Sequence, residues 1–189
     1  GVADAAALVA LAKQKAGALN YGSTGNGSAS HLAGELFKVK AGISAQHVPF
    51  RGAAPMTQEL IAGRIDYAFA TLPSVVGQIA SGDLHALAVA SPRRAPRLET
   101  IPTLNEAGIA GVEADAWFTL FAPAHTPAAA IARLYGAVQA VFADAPPRDS
   151  IARQGMTLAL KSPAEVAAAL PGEVAKWAAV IKAANIKLE

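Results

Sequence analysis

Three observations predict an α/β fold, a mainly parallel sheet flanked by helices. Short apolar runs of strand length at 19–22, 45–48, 65–70 and 86–90 alternate with helical stretches, the rhythm of strand–helix–strand units. The first three runs end in turns beginning at Gly22, Phe50 and Thr71. In a parallel sheet these turns share one edge, the one at which open α/β sheets bind ligands.

The elements follow in order. Asp4 caps a first helix that runs to about Ala16 and stops at Gly17. Strand 19–22 enters the turn Gly22-Ser-Thr-Gly-Asn-Gly-Ser28, where glycines permit tight bending and close approach to a ligand. Ser28 is a natural N-cap for a helix whose apolar face carries Leu32, Leu36 and Val39. Strand 45–48 leads through His47-Val-Pro-Phe-Arg-Gly52 to a helix that has Pro55 in its first turn, holds Met56, Leu60 and Ile61, and stops at Gly63. Strand 65–70 ends at Thr71-Leu-Pro-Ser74, a short helix covers 75–80, and 86–90 forms a fourth strand.

Beyond Ser91 the texture changes. Pro92, Pro96 and Pro102 punctuate a loop before a short helix at 103–107. Residues 117–122 read as an apolar strand. Thr126 and Pro127 open a long helix with Ile131, Leu134, Val138, Val141 and Phe142 on its buried face. Ser162-Pro-Ala-Glu165 is a capping box for a last helix carrying Val166, Leu170, Trp177 and Ile181, which Pro171-Gly172 should kink or split.

Composition narrows the function. The chain has 189 residues, 53% apolar, about a quarter of them alanine, with net charge +2 and no cysteine. Disulfides, thiolate nucleophiles and Cys-ligated metals are excluded, and the lack of Cys permits export. No run approaches the roughly 20 apolar residues of a spanning helix. Arg93, Arg94 and Arg97 form the tightest basic cluster, which between prolines reads as a solvated loop, so no nucleic-acid partner is expected. The opening Gly-Val-Ala-Asp, without Met or signal peptide, is expected to be a processed or engineered start.

The chemistry motifs point to holding an anion. Gly25-Asn-Gly27-Ser-Ala-Ser30 lacks the third glycine of the dinucleotide fingerprint, and neither a P-loop nor a nucleophile elbow is present. Free N–H groups and a helix dipole are expected to meet at the first turn, which suits carboxylate or phosphate. Ser23, Thr24, Ser28 and Ser30 add small donors. His31, with Glu35 at i+4, offers two of the ligands a metal site needs and no more, so a hydrogen bond to the turn or the ligand is its expected role. His47 reads as packed or half-exposed, Asp66 as paired with Arg64, and Trp117 as core or hinge packing.

Leu19-Asn-Tyr-Gly-Ser-x-Gly-x-Gly-Ser-x-x-His31, His47-Val-Pro-Phe-Arg-Gly52, Gly63-Arg-Ile-Asp-Tyr-Ala-Phe69, Leu72-Pro-Ser74, Leu87-Ala-Val89, Pro102-Thr-Leu-Asn-Glu-Ala-Gly108 and Ala116-Trp-Phe-Thr-Leu-Phe-Ala-Pro123 follow one another in order. Together they resemble the extracytoplasmic solute-binding receptors of tripartite tricarboxylate transporters, the Bug family, across essentially the whole chain. The resemblance implies a lobe of the type II periplasmic-binding-protein kind in residues 1–112. Residues 113–189 would be a crossover strand and the C-terminal helices of an incomplete first lobe, whose N-terminal part, with its Pro-Gly-Gly jaw, is expected to be missing. It also implies a periplasmic, non-enzymatic receptor for a small di- or tricarboxylate or amino acid, with membrane transporter subunits as partners and neither cofactor nor metal.

By the same resemblance Ser23, Thr24, Gly25, Gly27 and Ser28 hold the ligand with His31 in support, joined by Gly52 and Ala53 from the second turn and Thr71 and Leu72 from the third. Phe50 stands where Tyr is usual, Thr119 where Gly is common, and Ala70-Thr71 where an acidic residue often follows the strand. The last departure removes the side chain that would meet a ligand amino group. Two rival readings stand beside the receptor: an enzyme with the turn as phosphate cradle, and a self-associating module whose incomplete lobe exposes apolar surface near Trp117.

Overall fold

The computed structural model describes residues 2–186. Its sheet is built from β1 (Asn20–Ser23), β2 (Gln46–Pro49) and β3 (Tyr67–Ala68), all parallel, in the order β2-β1-β3. Gly22 lies opposite Val48 on one side and Ala68 on the other. A helix precedes or follows each strand: α1 (Ala5–Gln14), α2 (Ala29–Ala41), α3 (Ala53–Ile61) and α4 (Leu72–Ser81). Local chemistry sets their ends. Asp4 accepts the Ala7 N–H to start α1. Gly42 and Gly82, in left-handed backbone, stop α2 and α4.

The core gathers Ala5, Leu8 and Ala12 of α1, Leu19 just before the central strand and Tyr21 within it, and Leu36 and Phe37 of α2. Leu104, Ile109 and Val112 join from the Pro-punctuated region. On the opposite face Met56 and Ile65 close over Gly22, where an added Cβ would lie 2.5 Å from Ile65 Cδ1. Only glycine lets α3 pack this near the middle of the sheet.

Three helices follow in the second half: α5 (Ala128–Val141), α6 (Ala145–Arg153) and α7 (Pro163–Ala183). Val180 of α7 is buried in the core and Trp177 packs against it. The Ser162–Glu165 capping box is formed in full.

Several expectations are corrected. Residues 86–90 form no ladder strand: Val89 donates to Pro102 O and accepts from Leu104 N, so its backbone groups are used by a parallel bridge to Thr103 instead. The 103–107 helix is a series of turns. Residues 117–122 lie beside no described strand, and without a neighbour to satisfy its backbone a strand cannot form there. Pro171 does not split α7, which continues to Ala183. Helix α6 has no counterpart among the expected elements: Asp144 and the prolines of its first turn are start signals, but no residue of it is buried and it lacks an apolar stripe to mark a helical face. The face of α5 expected inside is not buried: Leu134 and Val141 are about half exposed. Residues 187–189 of the expected second unit lie outside the described residues.

Candidate functional site

The parallel register places the carboxyl ends of all three strands on one rim, so the amino ends of α2, α3 and α4 gather there. The connections are short: Thr24–Ser28, Phe50–Gly52 and Phe69–Thr71. Phe50 N–H donates to Ser23 O at 2.9 Å, which ties the second turn to the first. Each helix brings the positive end of its dipole.

The first turn is rigid, and its donors are largely committed. Thr24 N–H donates to Ser30 Oγ (2.9 Å), Gly25 N–H to Ser23 Oγ (3.2 Å), Gly27 N–H to His31 Nδ1 (3.0 Å) and Ser28 N–H to Gly25 O (3.2 Å). This corrects the expectation of free amides at Thr24, Gly25, Gly27 and Ser28. A short polar turn with a serine or histidine every few residues satisfies itself. Among the described residues, the N–H groups left over are those of Asn26, Ala29 and Ser30. Gly25, with φ 136°, adopts backbone that a side chain would strain.

The second and third turns differ. Gly52 (φ 108°, ψ 179°) precedes α3 without a side-chain cap, and Thr71 precedes α4 likewise. The first-turn N–H groups of α3, at Ala53 and Ala54, are therefore uncapped by any side chain. At α4, Ser74 N–H and Oγ–H both donate to Thr71 O, while Thr71 Oγ1 donates weakly to Ser74 Oγ at 3.3 Å. Leu72 packs toward Gly155, where a Cβ would meet its Cδ2 at 2.3 Å, so its side chain serves packing and its backbone lies at the rim.

Beneath the first turn lies a column of rings. His31 stacks on His47 (centroids 3.9 Å apart, planes 4° apart), His47 on Tyr21 (5.0 Å) and Tyr21 on Tyr67 (5.7 Å). His47 Nε2 is 2.6 Å from Ser23 Oγ. Tyr21 Oη donates to Glu35 Oε1 at 2.5 Å, and Lys38 Nζ sits 2.7 Å from the same oxygen and over the Tyr21 ring. Burial and the nearby carboxylate push the Tyr21 hydroxyl up, and burial does the same at Tyr67. Burial holds His31 below its usual value, and burial with the His31 ring beside it holds His47 down to about 4.

Glu35 is thus engaged by Tyr21 and Lys38 and does not join His31 in a metal pair. Among the described residues no group of three or more His, Asp or Glu side chains could hold a metal ion. Asp66 does not pair with Arg64 either: its carboxylate accepts the Asn20 N–H (2.7 Å), while Arg64 bonds Glu59. Trp117 is exposed rather than packed.

The structure brings Ser23, Thr24, Gly25, Gly27, Ser28 and His31 into one hydrogen-bonded unit, with Gly52, Ala53, Thr71 and Leu72 along the same rim. Sequence reasoning missed the part of His47, which the Ser23 bond and two ring stacks define. It also undervalued Ser30, whose buried hydroxyl meets Thr24 N–H, Thr24 Oγ1 and Ser28 Oγ. Its position two residues past the N-cap was the available signal. The Ser23–His47 contact has the span of a nucleophile–base pair, but Ser23 is fully buried.

The chain is similar to known proteins over nearly all its described length. Residues 2–186 match the family model described as tripartite tricarboxylate transporter family receptor. Protein BugT of Bordetella pertussis is 28% identical over 183 residues, 97% of this chain and 56% of BugT. The structure of R. palustris Rpa4515 with adipate superposes with a TM-score of 0.91 at 34% identity, covering 98% of this chain and 62% of that one. MatC from Rhodopseudomonas palustris, with bound malate, gives 0.86 at 27% identity, over 95% and 62%. The chain spans about half the length of the curated relatives it matches. With a parallel sheet, helices on both faces and turns gathered at one rim, it belongs to the tripartite tricarboxylate transporter receptor family.

Proposed function

We propose that this chain is the ligand-binding lobe, with the returning C-terminal helices, of an extracytoplasmic, non-enzymatic receptor that holds a small carboxylate for membrane transporter subunits. Residues 1–112 form the lobe and 113–189 the return. The observation that carries the reading is the meeting of three helix amino ends on one rim, two of them without a side-chain cap. Each such end favours an anion by about 0.3–1 kcal/mol, enough in sum to select carboxylates without naming one. Relatives with adipate and malate point to the same class.

Within the proposed site the roles divide. Ser23, Gly25, Gly27 and His31 shape the first turn, since their donors and acceptors serve one another. Thr24 Oγ1 and the Asn26 N–H face the ligand from that turn, while Ser28, whose hydroxyl donates to Gly25 O and accepts the His31 N–H, holds the turn to α2. Ala53 N–H, admitted by Gly52, and the Thr71–Leu72 backbone complete the grip. The internal use of the Thr24, Gly25, Gly27 and Ser28 amides leaves only Asn26 free within the loop itself, which weighs against a phosphate cradle, where successive loop N–H groups all point at the anion.

Thr71→Asp tests the reading by separating fold from binding. Aspartate is a better N-cap than the uncapped threonine, so stability should hold or rise by about 0.5–1 kcal/mol. The new carboxylate would occupy the rim and repel an anion. Calorimetric titration of the chain with adipate and malate should show weak binding, lost at least tenfold in the variant, while a neutral diamide analogue should not bind. Equal binding of diacid and diamide would overturn the reading.

A further inference from the structure

Five contacts converge under the glycine-rich turn, four of them hydrogen bonds. Gly27 N–H donates to His31 Nδ1 at 3.0 Å, so that nitrogen carries no proton and the neutral ring keeps its proton on Nε2. His31 lies flat on His47 at 3.9 Å. His47 Nε2 bonds Ser23 Oγ at 2.6 Å, and Ser23 Oγ in turn donates to Gly25 O and accepts the Gly25 N–H. The two rings thus hold the two glycines that give the turn its shape, one directly and one through a serine.

The geometry points to a proton-operated latch: the stacked, neutral His31–His47 pair positions the Gly25–Gly27 turn, and protonation of His31 releases Gly27. A proton on His31 Nδ1 turns the acceptor of the Gly27 N–H into a second donor, so that bond is lost. It also sets an imidazolium against the face of His47, so the rings take up protons in two steps that belong to the pair.

The groups facing the pair set the direction. On α2 these are Glu35, which favours the charged rings, and Lys38, which opposes them; on β1 it is Tyr21, stacked on His47 and bonded to Glu35, with Tyr67 of β3 behind it. Glu35 is shared by Tyr21 and Lys38, so its attraction does not outweigh burial. Both rings are held below 6.5, which keeps the latch shut at neutral pH and opens it in acid. The consequence for ligand, release from the rim as the medium acidifies, rests on the carboxylate-receptor reading. The latch itself does not, so its test uses the ligand-free chain.

Amide and imidazole NMR shifts followed from pH 8 to pH 4 decide it. The Gly27 amide should move with the His31 ring, through one midpoint below 6.5, while the Phe37 amide in the middle of α2 stays in place. The His47 ring should titrate in a separate, lower step. In His31→Asn, whose carboxamide oxygen can still accept from Gly27 but takes no proton, the Gly27 titration should vanish and the His47 midpoint should rise. A Gly27 amide that stays still while the His31 ring titrates would overturn the latch. So would loss of the Gly27 and Phe37 signals together, which would mark general acid unfolding. Failure of adipate to bind at neutral pH would overturn only the receptor reading, since the glycine amide reports on the latch without ligand.

Discussion

At the scale of single residues, the site depends on a close approach that glycine makes possible. Gly34, inside α2, faces the ring of Tyr21: a Cβ there would lie 2.3 Å from Cε2 and 2.9 Å from Cδ2. Tyr21 cannot retreat, because its ring is fully buried between His47 and Tyr67 and its hydroxyl is bound to Glu35. Gly34→Ala normally favours a helix by about 1 kcal/mol. Here overpacking, at about 1–3 kcal/mol, opposes that gain, and displacing Tyr21 also strains its charge-assisted bond. Urea unfolding should show a net loss of about 1–2 kcal/mol, with the slope unchanged; a more stable variant would show that α2 can move off the sheet. None of this was legible in the sequence, where Gly34 reads as an unremarkable helical glycine. The contrast with Ser28 is instructive. Its capping role is a local rule, legible within four residues, whereas Gly34 and His47 take their roles from partners 13 and 24 residues away along the chain, Tyr21 and Ser23.

At the scale of elements, the chain divides by how each helix is held. Helix α2 presents seven buried residues, from Ser30 to Phe37, whereas α5 and α6 present none. Helix α7 is held near its carboxyl end, through Trp177 and Val180, and its capped amino end is exposed. Short helices without tertiary packing are marginal in water, so protection should follow burial. Hydrogen exchange should therefore be slow in α2 and β1 and fastest in α5 and α6. Ser162→Ala, which removes a cap worth about 1 kcal/mol, should speed exchange in the first turn of α7 alone. Equal protection of α5 and α2 would contradict this picture. The same division explains what the sequence revealed. Strands and helices up to α4 were readable because local caps, glycine stops and strand periodicity agree with the packing around them. Past Ser91 the apolar spacing still marked helices, but periodicity says only that a face could be buried. It carries no information about whether a neighbour is present to cover it, and so α5 was expected inside and is found outside.

At the scale of the whole molecule, the consequence is an unusual surface. Trp117, Phe118, Leu120 and Phe121 are 47%, 78%, 74% and 63% exposed, in a segment whose backbone belongs to no sheet. Leu134 and Val141 of α5 and Val174 of α7 add to the exposed apolar area. An apolar groove of about 630 Å³ runs between α5 and the start of α7, lined by Ile131, Tyr135 and Pro163 among others. Monomeric proteins rarely leave contiguous apolar patches of this kind in water, and an extended segment with unpaired N–H and C=O groups is a template for strand pairing. Burying one such apolar side chain is worth roughly 1.5–3 kcal/mol. Four of them exceed the translational cost of association at its lower estimate, about 4 kcal/mol. The isolated chain should therefore associate with itself as concentration rises. Light scattering across a dilution series should show a mass above that of one chain, falling toward it on dilution. Replacing Phe118 and Phe121 by serine should return the chain to a monomer without weakening the core, since neither side chain is buried in it. If the wild-type chain scatters as a strict monomer at every concentration, the aromatic segment must fold back onto α5 and α7 in solution, and hydrogen exchange in α5 would then slow to match.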